Sequence, residues 1–310
     1  MKLLYCTDPH GRGNNPVYRI GNFKEDLLAK FREVCSLAKK MLCNYIICGG
    51  DLFHNPVIAL SVADEIVDII EKNGIPFYTV MGNHDMVNCN IEASLNQSLL
   101  GHLFKRSKII RHLETLEDDN TFIQGYDYSH GIEKQIEDGL LFTESKKKVK
   151  IVVPHALISE KSLHPSIMHI EAKKIDTNFD YILVSHYHAP YKTQKVGNTE
   201  IIAIGSLTRL TVGKSDLRDK VSVLFMDTDK NEKQVINLKS AKKVKDCFNL
   251  EAIEEKKDFN SGIEEFIESL TSTKFQGLDL RGRVEEIATK LEGDNVDVIS
   301  EIIRRIEANE

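Results

Sequence analysis

The chain has 310 residues, 41% of them hydrophobic, and a formal net charge of −6 at pH 7. This length and composition suit one large globular domain, or one large domain and one small. No stretch approaches 18 uninterrupted apolar residues, so no membrane-spanning helix is expected, and the acidic balance argues against general adhesion to nucleic acid.

The N-terminal segment becomes polar at Thr7 and Asp8, which is too early for a secretory signal, and it predicts a first strand instead. The six cysteines form no C-x-x-C pair, and several lie in apolar runs. Buried thiols in a reducing compartment are therefore expected rather than a disulfide framework. We predict a cytoplasmic protein without a membrane segment.

Three short apolar runs in the first third of the chain predict buried strands, and a polar cluster follows each of them. Asp and His two residues apart in an extended segment point to the same side, so both can reach one metal ion. The runs with their polar residues are Lys2 to Cys6 with Asp8 and His10, Tyr45 to Cys48 with Asp51 and His54, and Ile75 to Val80 with Asn83, His84 and Asp85.

Two segments between these strands have helical spacing of apolar residues. They are Asn22 to Leu42 and Ile58 to Lys72, and Gly74 is expected to end the second. Alternating strands and helices indicate a parallel sheet with right-handed crossovers. Ligand sites in such sheets collect at the carboxyl ends of the strands, which is where the polar clusters lie.

The second half of the chain has a less regular pattern that again predicts strands. Two of them end in histidines: Lys150 to Val153 is followed by His155, and Tyr181 to Val184 by His186 and His188. Further strands are expected at Lys108 to Arg111, Leu113 to Leu116, Thr121 to Tyr126, Ile201 to Ile204 and Val221 to Met226.

The pattern changes near Asp246, where a second and smaller unit is expected. Its predicted elements are a strand at Cys247 to Ala252, a helix at Ser261 to Leu270, a strand at Leu278 to Ile287 and a helix at Val296 to Ile306. We predict a main domain over residues 1–240 and a β-α-β-α domain over 246–310. The alternative is that these elements pack on the main sheet as its tail.

Five strand ends together supply Asp, Asn and His side chains, a set that suits a metal-assisted reaction. Mn²⁺ is the ion we expect first, with Fe²⁺, Zn²⁺ and Mg²⁺ as alternatives. Two adjacent ions would share Asp51 and activate a bridging hydroxide for in-line attack on a phosphoryl group. His84, oriented by Asp85, would protonate the leaving oxygen.

Each motif also has a simpler interpretation. Asp8 could belong to an Asx-type turn with His10 as a bystander, and Asp51 could be a helix cap. His84 could be a further metal ligand, and His54 a supporting or surface residue. These simpler interpretations do not together explain why five separate polar clusters all follow predicted strands.

The combined motifs resemble those of the calcineurin-like metallophosphoesterase superfamily. They are D-x-H at Asp8, G-G-D at Asp51, G-N-H-D at Gly82 to Asp85, the single His155, and H-x-H at His186. The resemblance runs over residues 1–225 and implies an α/β fold, a two-sheet β-sandwich flanked by helices. It also implies two ions, one held by Asp8, His10, Asp51 and His188, and the other by Asp51, Asn83, His155 and His186.

Within that superfamily the chain looks most like the SbcD-type DNA-repair nucleases. This finer resemblance rests on the sequence from Gly50 to His54 and on Gly205-Ser206 followed by Thr208-Arg209. The predicted tail also matches the DNA-capping domain of that group. Ser185 and Ala156 depart from it, since glycine is usual at both positions. The resemblance implies DNA as substrate, an SbcC-type coiled-coil ATPase partner and a homodimer. The short chain after the tail puts the ATPase contact in question.

Three functions stay open on the sequence alone. The first is a Mn²⁺-dependent exo- or endonuclease, with His54 and Arg209 as substrate-binding residues and a basic rim of Arg209, Lys214 and Arg218. The second is a phosphoesterase for a nucleotide, a cyclic nucleotide or a phosphoprotein, which the acidic net charge favours. The third is a non-catalytic adaptor that docks an ATPase.

Overall fold

The structure is a computed structural model, and it describes residues 1–211, 213 and 216–253. Its helices and strands, in chain order, are β1 (Lys2–Cys6), α1 (Phe23–Lys40), β2 (Tyr45–Cys48), α2 (Leu60–Asn73), β3 (Phe77–Thr79), α3 (Ile91–Gln97), α4 (Leu99–Arg106), β4 (Ile110–His112), β5 (Thr115–Glu117), β6 (Thr121–Tyr126), α5 (Ile132–Glu137), β7 (Val149–Pro154), β8 (Ile158–Ser159), β9 (Ile170–Glu171), β10 (Tyr181–Leu183), β11 (Tyr191–Val196), β12 (Thr199–Ala203), β13 (Ser222–Asp227) and β14 (Glu232–Asn237).

Two six-stranded mixed sheets form the framework. The first has the strand order β14-β13-β1-β2-β3-β4, in which β1 to β4 are parallel and β13 runs antiparallel to both of its neighbours. The second has the order β11-β12-β10-β7-β6-β5, in which the four central strands are parallel. The parallel sheet predicted from the first third of the chain is confirmed, and so is the α/β sandwich.

Alternation along the strands divides the core into layers. Leu3 and Tyr5 face the second sheet, and Leu4 faces α1 and α2 on the outer side of the first sheet. The second sheet repeats this arrangement, with Ile151 turned inward and Val152 turned towards α5. The sandwich is therefore flanked by helices on both outer faces.

The two long helices begin and end where their sequences provide caps. The Asn22 side chain accepts a hydrogen bond from the Glu25 N–H at the start of α1. Gly74 takes a left-handed conformation, φ 77°, after the last residue of α2. Within the described residues, none of the helices has the length and apolar character needed to span a bilayer.

The segment after β14 differs from its prediction. Residues 247–252 do not form a strand: Phe248 makes one isolated bridge to Arg19, and residues 250–253 are helical. Cys247, Phe248 and Ile253 pack together with Tyr18. The predicted boundary at 246 thus falls within a segment that packs on the main unit, and the later predicted elements (261–270, 278–287 and 296–306) lie outside the described residues.

Candidate metal centre

The carboxyl ends of β1, β2 and β3 in one sheet meet those of β7 and β10 in the other. The loops after these five strands carry every metal ligand predicted from the sequence. Those residues are Asp8, His10, Asp51, Asn83, His155, His186 and His188.

Asp8, His10 and His188 form a first ligand group. One potential ligand atom from each lies within 4.8 Å of the others. The Nε2 atoms of His10 and His188 are 3.0 Å apart, and Asp8 and His10 are fully buried. Two imidazole nitrogens that converge beside a buried carboxylate are suited to a shared cation.

Asp51, His155 and His186 form a second ligand group with the same close spacing. The Oδ1 atom of Asn83 lies 3.3 Å from Nε2 of His155, which adds an amide oxygen to the group. The two groups match the two ligand sets that the family resemblance implies.

Asp51 lies between the two groups. Its Oδ2 atom is 3.6 Å from Nε2 of His10 and 3.5 Å from Nε2 of His155. That atom is buried and has no hydrogen-bond partner among the described residues, while Oδ1 accepts the His84 N–H at 2.9 Å. An unpartnered buried carboxylate oxygen is costly unless a cation neutralises it, so these side chains fit a pair of divalent ions that share Asp51.

The backbone at the ligands is in an uncommon conformation. Asp8, His10, Asp51 and His186 have φ values of 51°, 48°, 52° and 64°, in the left-handed region that costs a residue with a side chain of order 1–3 kcal/mol. Gly82 packs so closely on the Asp51 carboxylate that a Cβ there would overlap it. The fold thus maintains strained ligand loops and a close glycine contact at the same point.

Burial and mutual charge shift the pKa values of the ligands. Burial lowers the pKa of His186 to about 3, assisted by His155. Burial alone would raise the pKa of Asp51, but His155 and then His10 lower it well below its usual range. Asp51 and His186 therefore have the ionisation states that a metal ligand needs.

His155 is oriented by the main chain. Its Nδ1 atom lies 2.7 Å from the Gly49 carbonyl oxygen, so Nδ1–H donates there and Nε2 faces the centre. Burial favours the neutral ring, but Asp51 raises the pKa of His155 to about 9. An incoming cation would consequently have to displace a proton from this imidazole.

His84 belongs to neither of these two groups, but with His10 and His54 it forms a third set of potential ligand atoms within 4.8 Å of one another, which contains no carboxylate. Its ring is 4.7 Å from that of His10 and stacks on His54 at 4.9 Å. Its Nδ1 atom lies 2.9 Å from the His54 carbonyl oxygen, so Nδ1–H donates and Nε2 is the nitrogen that can exchange a proton.

The predicted role of Asp85 as the partner that orients His84 is wrong. The buried Asp85 carboxylate instead accepts main-chain N–H groups from Leu52 at 3.2 Å, Phe53 at 3.0 Å and Gly82 at 3.0 Å. Burial and then the Asp51 charge raise its pKa to about 8, against the effect of these donors. Asp85 fastens the loop after β2 to the loop after β3, and the His54 carbonyl does the orienting.

The predicted role of Arg209 as a substrate-binding residue is also wrong. Arg209 is fully buried, and it donates to the carbonyl oxygens of Arg218 and Lys242 at 2.8 and 2.7 Å and to Sγ of Cys247 at 3.1 Å. Arg218 donates to the Ser206 carbonyl, and Lys214 lies outside the described residues. The two described residues of the predicted basic rim, Arg209 and Arg218, therefore present no fully exposed guanidinium.

His54 lies at the centre as predicted, with an arginine that the sequence reasoning missed. The His54 ring is 5.5 Å from that of His10. Its Nε2 atom is 3.0 Å from Arg12, and burial followed by the Arg12 charge lowers the pKa of His54 to about 4. The position of Arg12 two residues after His10 is a signal that could have identified it.

Asp127 and Tyr128 at the end of β6 were missed as well. The Asp127 carboxylate accepts the Met81 N–H at 2.6 Å and contacts Nε2 of His112 at 2.8 Å. The Tyr128 N–H donates to the Met81 carbonyl at 2.9 Å, and its ring lies 5.7 Å from that of His186. This pair attaches the loop that contains Asn83 to the second sheet.

Two curated proteins are similar to this chain. The DNA double-strand break repair protein Mre11 of Methanococcus maripaludis is 25% identical over 232 residues, which cover 71% of this chain and 60% of that protein. The double-strand break repair protein mre-11 of Caenorhabditis elegans is 30% identical over 106 residues, 33% of this chain and 13% of that protein. The chain thus spans less than two thirds of either relative.

Solved structures with a related arrangement include an archaeal phosphodiesterase, 16% identical, with 77% of this chain and 100% of that chain covered and a TM-score of 0.41. The protein TT1561 of Thermus thermophilus is 14% identical, with 76% and 98% covered and a TM-score of 0.48. The model of the calcineurin-like phosphoesterase family matches residues 1–190, a range that includes every metal ligand predicted from the sequence. The chain belongs to the calcineurin-like phosphoesterase family.

Proposed function

We propose that this protein is a two-metal phosphodiesterase that cleaves DNA, with Mn²⁺ as the preferred ion. The family supports a phosphoester hydrolase that uses divalent ions. The observation that carries the two-metal mechanism is the unpartnered Oδ2 atom of Asp51, about equally distant from His10 and His155. The similarity to proteins named for DNA double-strand break repair supports the choice of substrate.

The two ligand groups would each hold one ion, with Asp51 common to both and Asn83 added to the second. When bound, such ions supply Lewis-acid activation of a phosphoryl group and of a water molecule. Asp8, His10, Asp51 and His155 are buried, whereas Asn83, His186 and His188 are partly exposed, so the centre is accessible to substrate and water from the side of these three residues.

His84 would act as the general acid. Its Nδ1–H is committed to the His54 carbonyl, so a proton on Nε2 can pass to the leaving oxygen. The stacked His54 ring limits the orientations open to His84. The simpler role of His84 as a metal ligand is the alternative: His84 lies with His10 and His54 in a third set with metal-ligand spacing, but that set contains no carboxylate to offset the charge of an ion.

A small phosphoester is the second candidate substrate. The net charge of −6 and the burial of Arg209 favour it, because DNA binding relies on exposed cations. An adaptor without catalysis has little support from a ligand set as complete as this one, and it predicts no metal uptake, which elemental analysis can test.

The deciding experiment supplies Mn²⁺ and compares labelled single- and double-stranded DNA with bis(p-nitrophenyl) phosphate. Cleavage of both, lost in His84→Ala, is the expected result. Hydrolysis of the small ester while both DNA forms stay intact would reject DNA as the substrate of the isolated protein. Repeating the assay with Fe²⁺, Zn²⁺ and Mg²⁺ ranks the ions.

The proposed assembly follows from the resemblance to SbcD-type nucleases. A homodimer and an SbcC-type coiled-coil ATPase are the partners we infer. Light scattering at several protein concentrations tests the dimer, and co-purification with a co-expressed ATPase subunit tests the second contact. A monomer at every concentration would reject the dimer.

A further inference from the structure

Arg12 is fixed in place beside the metal centre by the chain on either side of it. The Gly11 N–H donates to the Leu52 carbonyl at 2.9 Å, and the Gly11 carbonyl accepts the His54 N–H at 3.0 Å. The loop after β1 is thereby joined to the loop after β2. Arg12 follows this junction directly, so its main chain is held by two loops that also carry metal ligands.

The guanidinium of Arg12 contacts two uncharged acceptors. One of its terminal nitrogens lies 3.0 Å from Nε2 of His54, and its Nε–H donates to Oδ1 of Asn14 at 2.9 Å. Among the described residues it has no carboxylate within salt-bridge distance. A guanidinium carries five N–H donors, so donors remain for a further acceptor.

The other buried or partly buried arginines among the described residues have more or stronger hydrogen-bond and ion-pair partners than Arg12. Arg19 pairs with a buried aspartate at 2.5 Å, Arg218 lies 3.5 Å from another, and Arg209 donates to two carbonyls and a thiol. Arg12 is only partly buried and has kept an accessible, uncompensated charge. A cation held in this way beside a phosphoester site is suited to an anionic group of the substrate.

The His54 ring shows which group Arg12 can reach. Arg12 contacts Nε2 of His54, whose ring centroid is 5.5 Å from that of His10, and among the described residues it makes no ion pair with Asp8 or Asp51. Arg12 is thus connected to the centre through His54 and not through one of the ligands of the two ions. The ions and His84 would contact the scissile phosphate, so the next phosphate along a strand is the anionic group that we assign to Arg12.

We propose that Arg12 binds the phosphate that neighbours the scissile one in a nucleic-acid strand. This inference rests on the proposed function and adds a specificity to it: the site distinguishes a strand with a flanking phosphate from an isolated phosphodiester. Two parallel N–H groups of the guanidinium give a geometry that a lysine ammonium does not reproduce.

Binding of three dinucleotides tests the proposal: d(TpT), d(pTpT) and d(TpTp). They share one phosphodiester and differ in a terminal phosphate, and its position shows on which side Arg12 lies. Calorimetric titrations in Mn²⁺ use the His84→Ala background, which prevents cleavage during the measurement. We expect a terminal phosphate on one side to tighten binding about tenfold or more, and Arg12→Ala to remove that gain.

Arg32→Ala is the matched control, because it removes an exposed arginine of α1. It should keep the gain, and Arg12→Lys should keep only part of it. Loss of a phosphate contact should also lower the dependence of log K on log salt by about 0.7, as for one phosphate of a single strand. Unchanged metal content in Arg12→Ala would show that the centre itself is intact.

Each other outcome overturns a defined part of the argument. If Arg12→Ala keeps the full gain, Arg12 does not bind the flanking phosphate and the proposed nuclease function is unaffected. If Arg12→Ala weakens all three dinucleotides equally, the residue supports the centre and confers no specificity. If no dinucleotide binds to His84→Ala while the protein with His84 intact still hydrolyses bis(p-nitrophenyl) phosphate, the nucleic-acid substrate itself is rejected.

Discussion

The Nδ1 atom of His84 lies 2.9 Å from the main-chain oxygen of His54, while the carboxylate of the adjacent Asp85 is bonded elsewhere. A carbonyl acceptor fixes which imidazole nitrogen carries the proton and adds no charge to the ring. His84 is thus held by a backbone group on the loop after β2. Any movement of that loop changes the direction in which Nε2 of His84 points.

His84→Ala should lose most catalysis and keep its metals. General acid–base catalysis contributes roughly 10²–10⁴-fold, so we expect a fall of that size in kcat for bis(p-nitrophenyl) phosphate. Elemental analysis should give the same metal content as the wild type. Asp51→Ala is the contrasting variant and should lose both ions, since its carboxylate is common to both groups. Loss of metal from His84→Ala would make the residue a ligand.

Asp85→Asn should weaken the fold. Three buried N–H groups depend on this carboxylate, and an amide offers them one oxygen in place of two. A buried N–H that is left without an acceptor costs about 1–3 kcal/mol, so a loss of about 2 kcal/mol in the free energy of unfolding is expected. Urea denaturation measures it. If Asp85→Asn had an unchanged urea midpoint but lost activity, Asp85 would have a catalytic role after all.

Arg209→Ala should destabilise the protein without altering substrate affinity. It leaves two main-chain carbonyls unpaired, so the free energy of unfolding should fall by about 3 kcal/mol, while KM stays within twofold of wild type. Arg106→Ala removes an exposed arginine of α4 and should change stability by less than about 0.5 kcal/mol. A raised KM at unchanged stability would instead indicate that Arg209 binds the substrate.

His112 should make stability depend on pH. Burial lowers its pKa, but Asp127 and then Glu114 raise it above the ordinary value, and the Phe104 ring stacks on it at 4.8 Å. A raised pKa in the folded state gives stability that is complete below the unfolded pKa of about 6.5 and is lost as the pH rises through the folded value.

The stability difference between wild type and His112→Gln should therefore shrink as the pH increases from 6 to 9. Urea denaturation at several pH values gives that difference. His102→Gln, an exposed histidine of α4, is the control and should show no such trend. A difference that grows with pH would contradict the ion pair with Asp127.

Sequence reasoning located the ligands because each directly follows an apolar run. The parallel order of β1 to β3 then brings Asp8, Asp51 and Asn83 to one edge by local rules alone. The meeting of His10 with His188 needs two sheets to pack face to face, and that came from the family resemblance. Periodicity in the sequence contains no equivalent information.

The charge of a residue and its position next to a site residue did not predict the roles of Arg209 and Asp85 correctly. Arg209 looks like a surface cation in the sequence, but its guanidinium is buried and donates to the carbonyl oxygens of Arg218 and Lys242. Asp85 follows His84 directly, yet the turn directs the two side chains to different partners. The short helices α3 and α4 were missed, although Asn90 and Ser98 cap them as their residue types allow.

The two ligand groups draw on both sheets, since Asp8 and Asp51 follow strands of the first and His155 and His188 follow strands of the second. Ions bound there would cross-link the halves of the sandwich and bind the native chain in preference to the unfolded one. By mass action, free metal at 100 times its dissociation constant adds about 2.7 kcal/mol. The melting temperature should rise with metal concentration and fall on adding a chelator, so metal supply would affect the stability of the folded protein as well as its activity.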